Sequence, residues 1–272
     1  RKTSGAGICT FLPRNQALSV GRMSKNGVEL TISGTPVDRK NFTVNTSLSL
    51  TTNMTKVLSL GGAPSFSLGS FGWVIEGQQV PMLKGKLIAN HDVLGATPDT
   101  IPNHLFGPSN PTRILGGSVS VKTWRGITVA VRGEYQTGAY IDEDASFQAL
   151  QRSVKWPTCF KAYDALAANQ PITAWERATC IPTNVKQDMF IFPADFLKLR
   201  DLTVSVPLGK LIPGTSSSMF VFTAQNFFRK NYGMPMFDPE QSGNTGFNAP
   251  VRYISEHIPA AATFLTSLRI SF

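Results

Sequence analysis

The stretch GVELTISGTPVDRKNFTVNTSLSL, residues 27–50, alternates twice around a turn. Successive side chains of a strand leave on opposite faces, so Val28, Leu30 and Ile32 point one way and Glu29, Thr31 and Ser33 the other. Phe42, Val44, Leu48 and Leu50 share one parity, which only Thr46 breaks, and Thr43, Asn45, Ser47 and Ser49 hold the other. The segment PVDRK supplies the turn chemistry between the two strands. Each strand therefore has one apolar and one polar face. A half-buried sheet of a sandwich would show the same alternation.

The pattern recurs along the chain. In ILGGSVSVKTW, Leu115, Val119 and Val121 oppose Ser118, Ser120 and Lys122. In ITVAVRGEYQTGAY, Ile127, Val129, Val131 and Tyr135 oppose Thr128, Arg132, Glu134 and Gln136. FLKLRDLTVSVPL alternates through Leu202, Val204, Val206 and Leu208 against Thr203 and Ser205, MFVFTAQNFF follows with weaker alternation, and TFLTSLRISF closes the chain. Short turns after Ser33, Trp124 and Leu208 alternate strictly with long connections at 55–112, 141–196 and 229–262. Ordinary connections run ~4 to 6 residues. A sandwich has no reason for that alternation, whereas an up-and-down outer-membrane barrel has short turns at one rim and long loops at the other. Ten strand residues at ~3.3 Å each and ~45° tilt span about 24 Å, close to the ~25 Å apolar band of such barrels.

The fold expected is all-β: an antiparallel, up-and-down transmembrane β-barrel segment of about seven to eight strands with long extracellular loops. Its polar face looks into a wet lumen, where Arg132, Glu134 and Arg269 are at home, and its apolar face meets lipid. The segment is expected to be open, with residues 27–35 near one edge and 263–272 near the other. Within the long connections, KAYDALAAN has helical spacing and WVIEGQQVPMLKGK suits a further strand or hairpin.

Composition agrees with a β-rich chain with long loops: 272 residues, 16% charged, with 23 Gly and 18 Pro. No run approaches the ~18 apolar residues of a transmembrane helix, and the first residues lack a signal peptide's apolar core. The net charge of +9 raises nucleic acid as a partner, but the cations are scattered singly and no nucleic-acid partner is expected. Of three cysteines, Cys159 and Cys180 share one loop and are either a bridged pair or two unrelated thiols, and Cys9 stands apart.

Four blocks carry a family likeness. VGRMSKNGVEL (20–30), GPSNPTRILGGSVSV (107–121), DFLKLRDLTVSVPL (195–208) and TAQNFFRKNYGMPMFDPE (223–240) resemble, in order and spacing, the late barrel hairpins of SusC/RagA-type TonB-dependent receptors. The final Phe272 resembles the carboxy-terminal assembly signal of outer-membrane barrels. The resemblance implies that residues 1–272 are the C-terminal portion of such a barrel without its plug domain, placed in the cell outer membrane. It further implies uptake of oligosaccharide or peptide with a surface-exposed SusD-like lipoprotein, driven through the TonB complex, with outer-membrane lipid around the wall.

No catalytic site is expected. His91, His104 and His257 are dispersed without metal-ligand spacing, and no nucleophile or phosphate-binding motif occurs. Neither cofactor nor metal is expected, and no residue is singled out as a solute contact. Asp142, Glu143 and Asp144 follow a strand and are read as a solvated loop tip in preference to a cation site. The resemblance implies that Asp238 and Glu240, in its DPE signature, hold loop structure. Trp156, Trp175, Phe237 and Tyr253 either stack on sugars or pack the loops. The rival readings are a secreted β-sandwich adhesion or carbohydrate-binding module, whose apolar faces would pack on each other, and a carboxylate hydrolase using Glu134.

Overall fold

A computed structural model describes residues 21–69, 71–209, 214–241, 251–255 and 260–272. Cys9 and His257 lie outside them. The long hairpin β1 (Arg22–Arg39) and β2 (Phe42–Ser59) is followed by four shorter strands, β3 (Phe66–Gly69), β4 (Gly72–Val74), β5 (Met82–Ile88) and β6 (Thr100–Pro108). Then come β7 (Arg113–Lys122), β8 (Thr128–Thr137), β9 (Tyr140–Glu143) and three helices, α1 (Asp144–Gln151), α2 (Phe160–Ala167) and α3 (Ala174–Thr179). The chain continues through β10 (Ile191–Pro193), β11 (Phe196–Pro207), β12 (Ser217–Asn231), β13 (Tyr253–Ile254) and β14 (Thr263–Ser271).

Seven strands form one antiparallel sheet in the order β1-β2-β7-β8-β11-β12-β14, so chain neighbours along the meander are also spatial neighbours. β1 and β14 stand at its two ends, as the expected open segment requires. The register carries each face across the sheet. Val121, Val129, Val204 and Phe222 face one another in a row on the apolar side. Ser33, Ser47, Ser118, Arg132, Asp201 and Gln225 form a row on the polar side. Hydroxyls join the latter, with Ser33 Oγ 2.8 Å from Ser47 Oγ and Thr35 donating to Asn45 Oδ1 at 2.8 Å.

Two irregularities have sequence causes. The turn expected at PVDRK falls later: Arg39 faces Phe42, and only Lys40 and Asn41 connect them. Between Gly34 and Val37 β1 advances three residues while β2 advances two, which places Pro36 in a bulge, where its missing N–H costs no ladder bond. In β11 the apolar parity changes from Leu197 and Leu199 to Leu202 and Val204. There β11 advances from Leu199 to Asp201 while β8 moves one residue, so Arg200 is the extra residue that switches the faces. On the other side β12 moves three residues across the same interval, with Asn226 at φ 53°. At the short-turn rim, Gly126 at φ 73° donates to the Thr123 carbonyl, closing the β7–β8 turn.

The apolar face is bare. Val28, Ile32 and Leu48 are 60%, 63% and 65% exposed, and no second sheet packs on them among the described residues. This departs from a β-sandwich, whose apolar faces are covered. The buried core lies instead in the long connections. A four-stranded sheet, β3-β4-β5-β6, and a three-stranded sheet, β10-β9-β13, join the helices there.

Candidate functional site

The connections are built into one body at the loop end of the sheet. Cys159 and Cys180 form a disulfide, Cα to Cα 5.5 Å, closing a segment that contains α2 and the start and end of α3. Both are buried with Phe147, Leu150, Ile172 and Phe190. Thr173 caps α3 reciprocally with Glu176, fixing that helix against Ile88.

A cavity of about 580 Å³ opens where all three long connections meet. The first supplies Lys86, Ile88, His91, His104 and Phe106, the second Tyr140, Trp175, Met189 and Phe192, and the third Gly233 and Pro235. Its interior is mainly aromatic and aliphatic. Gly107 permits this wall, since a Cβ there would meet the Tyr140 ring at 2.5 Å. Polar side chains at its mouth have partners: Lys86 pairs with Asp188 at 3.7 Å, and His91 Nδ1 lies 2.9 Å from Asp92. Its shape suits a ligand with apolar groups and a few polar contacts at the mouth.

The third connection is tied to the polar face by ion pairs. Lys198, 3% exposed in its side chain, reaches Asp238 at 3.2 Å and Glu240 at 2.6 Å, and Arg229 reaches Asp238 at 3.1 Å. Arg200, turned to this face by the bulge, contacts Glu134 at 3.0 Å and Glu240. Arg132 and Asp201 meet at 2.8 Å. Burial works to raise the Glu240 carboxyl, but hydrogen bonds from Arg200 and Lys198 prevail and hold it at about 2. Asp238 and Glu240 thus hold loop structure, as the resemblance implied. Glu134, the carboxylate of the hydrolase reading, is engaged by Arg200 and by Gln136.

The acidic triplet requires a correction. Asp142, Glu143 and Asp144 are 0%, 1% and 2% exposed, not a solvated tip. The residues after β8 turn inward because β9 pairs with β10 and β13. Asp144 accepts from Gln187 at 2.7 Å and from the Tyr253 hydroxyl at 2.7 Å, and Glu143 caps α1 by accepting from the Ser146 N–H at 2.8 Å. Both Asp142 oxygens and Glu143 Oε2 have no hydrogen-bond partner among the described residues. Burial raises Asp142 well above the usual carboxylate range, helped by the charges of Asp144 and Glu143, and lifts Glu143 to about 7. Among the described residues no three His, Cys, Asp or Glu side chains are placed to hold a metal ion.

Of the four aromatic residues noted in the sequence, only Trp175 lines the cavity. Trp156 donates to Ser146 Oγ at 2.7 Å and stacks on Phe237 at 6.2 Å, and Tyr253 is engaged by Asp144, so those three pack the loops. Burial and that contact push the Tyr253 hydroxyl up to about 12. His91 and His104 reach the same cavity from separate strands and turns, a convergence that their sequence spacing does not indicate.

No known protein family matches the chain, and no curated protein does. Solved structures match its fold. A structure of the RagAB peptide transporter superposes with a TM-score of 0.64 at 16% identity, over 95% of this chain and 30% of that chain. The RagAB peptide importer in its closed-closed state gives 0.64 at 15% identity, and in its open-open state 0.58 at 16%, with the same coverage. The chain spans about a third of the length of the chains it matches. At these identities the likeness establishes the fold: an antiparallel up-and-down barrel segment.

Proposed function

We propose that residues 1–272 form the C-terminal part of the outer-membrane barrel of a SusC/RagA-type, TonB-dependent nutrient importer. The observation that carries this reading is the asymmetry of the sheet: the polar face bears the ion pairs and the loop body, while the apolar face is left uncovered. A face of exposed Val, Ile and Leu over seven strands is unstable toward water and suited to lipid. Short turns at one rim and long connections at the other give the remaining feature of such walls. The disulfide supports a site outside the reducing cytosol.

In this reading the cavity at the junction of the loops is a contact point for an oligosaccharide or peptide on its way in. A surface-exposed SusD-like lipoprotein sits over the loops, and the plug and TonB contact belong to a preceding part of the same protein. The fold matches are to peptide transporters, which supports the importer reading without fixing the solute. The role is transport, with no chemical step assigned to any residue.

Cell fractionation and uptake test this. The protein is expected in the outer-membrane fraction, extractable by detergent, and cells lacking it are expected to lose uptake of a labelled peptide or oligosaccharide. Recovery in the soluble fraction, with uptake of both solute classes intact, would overturn the proposal.

A further inference from the structure

The bare face is not uniform. Across its middle the register sets Leu48 opposite Gly117, Gly117 opposite Gly133, and Gly133 opposite Leu199. Two glycines facing each other between leucines leave a furrow in an otherwise continuous apolar surface. A space of about 440 Å³ follows, lined by Ile32, Leu48, Leu50, Leu115, Tyr135 and Leu197. Nothing polar from the side chains of those six crosses it except the Tyr135 hydroxyl.

At the loop end of this furrow the same face becomes cationic. Arg113 lies two residues beyond Leu115 on β7, and Lys230 faces Leu197 from β12. Both are exposed, and neither forms an ion pair among the described residues. Between them Tyr135 meets Tyr232 edge-on at 5.8 Å, and Lys230 Nζ lies 5.3 Å over the Tyr232 ring. Asp195, two residues before Leu197, lies on the same face but forms no ion pair with either cation. Its oxygens accept from Thr137 Oγ1 at 2.6 Å and from the Gly138 N–H at 2.9 Å. Carboxylates of the neighbouring strands, Glu134 and Asp201, face the other side, where they hold arginines.

An apolar furrow followed by a band that tyrosines and unpaired cations share, Lys230 level with Tyr135 and Arg113 one pair beyond, is the order of a membrane amphiphile read from its chains to its headgroup. β7 and β12 are three strand spacings apart, about 14 Å, so one small phosphate does not reach both cations without their side chains converging, whereas a broad headgroup with two phosphates does. We infer that this face seats a diphosphorylated glycolipid of the surrounding leaflet, with an acyl chain in the Gly117–Gly133 furrow and its phosphates at Arg113 and Lys230. The inference rests on the reading of this face as the lipid-facing wall. Charge-assisted bonds from the two cations supply the preference over neutral lipid, and the furrow supplies shape.

Retention of added lipid by the detergent-purified protein, read by native mass spectrometry, tests this. The probes are a diphosphorylated acylated disaccharide, its monophosphorylated form and phosphatidylcholine. Expected is retention in that order, about tenfold lower for the diphosphorylated probe in the Arg113→Ala/Lys230→Ala double variant, and unchanged for phosphatidylcholine. Gly117→Val, whose added Cβ finds Leu48 at 3.4 Å and no closer atom, is expected to lower retention of both acylated classes without loss of folding. Equal retention of all three probes in protein and variants would overturn the seat while leaving the membrane wall standing. Retention of none would overturn the wall and the seat together.

Discussion

Lys198 and Lys230 stand on neighbouring strands, β11 and β12, and the sheet sends them to opposite sides. Lys198 is 3% exposed and shares two carboxylates of the third connection, whereas Lys230 lies open over a tyrosine. On the polar side the chain supplies its own counter-ions and uses them to fasten a loop. On the apolar side no ion pair forms among the described residues. The difference teaches how one sheet carries two kinds of face: the buried lattice of charge is internal structure, whereas on the proposed reading the bare face with its cationic rim is completed by lipid.

Breaking the buried side should have the largest effect. Lys198→Met removes from Asp238, itself 2% exposed, the buried cation that it shares with Glu240, and is expected to cost about 3–5 kcal/mol. Lys230→Met should change stability by less than about 0.5 kcal/mol. Thermal unfolding of both variants, with hydrogen exchange over 229–241, checks the pair. Equal losses would remove the contrast between the two faces.

Next comes the loop body. Replacing Cys159 and Cys180 by Ala should cost about 3 kcal/mol for a closed loop of this length. The loss should appear as faster exchange over α2 and α3, with β7 and β8 unaffected. On the apolar face, Val129→Arg is expected to impair membrane assembly by roughly 2–4 kcal/mol, while Thr128→Arg on the polar face is tolerated.

The effect that depends on pH comes from the acidic triplet. Glu143 titrates at about 7 in the fold against 4.5 as its ordinary value, so the folded state holds the proton more tightly than the unfolded one. Its contribution is full below about 4.5 and is lost as pH rises through 7, and Asp142 acts in the same direction. Each unit of that difference is about 1.4 kcal/mol. Glu143→Gln should flatten the fall between pH 5 and 8, measured as the melting temperature of the loop body.

Much of the sheet was legible from alternation alone, because a face that meets one solvent imposes period two on every strand. The parity change at Arg200 is visible in FLKLRDLTVSV, but the hairpin turn was misplaced: Pro36 signals a turn and is accommodated in a bulge. The loop body was far less legible. Whether Asp142 to Asp144 meet water depends on β10 and β13, which arrive from far along the chain. The cavity, too, exists only where three distant connections converge, and no local pattern announces His91, His104 and Trp175 as neighbours. The Gly117–Gly133 furrow needs the cross-strand register, although each glycine is plain in the sequence.

The most direct test of the central claim is a solvent-accessibility scan on two adjacent strands. Nitroxide labels would be placed one at a time at 128–131 on β8 and 202–205 on β11, in the protein reconstituted into bilayers. The account predicts a two-residue alternation: labels at Val129, Val131, Leu202 and Val204 are relaxed by oxygen dissolved in lipid, and those at Thr128, Ala130, Thr203 and Ser205 by a water-soluble nickel chelate. Uniform relaxation by the aqueous agent at all eight positions would contradict it.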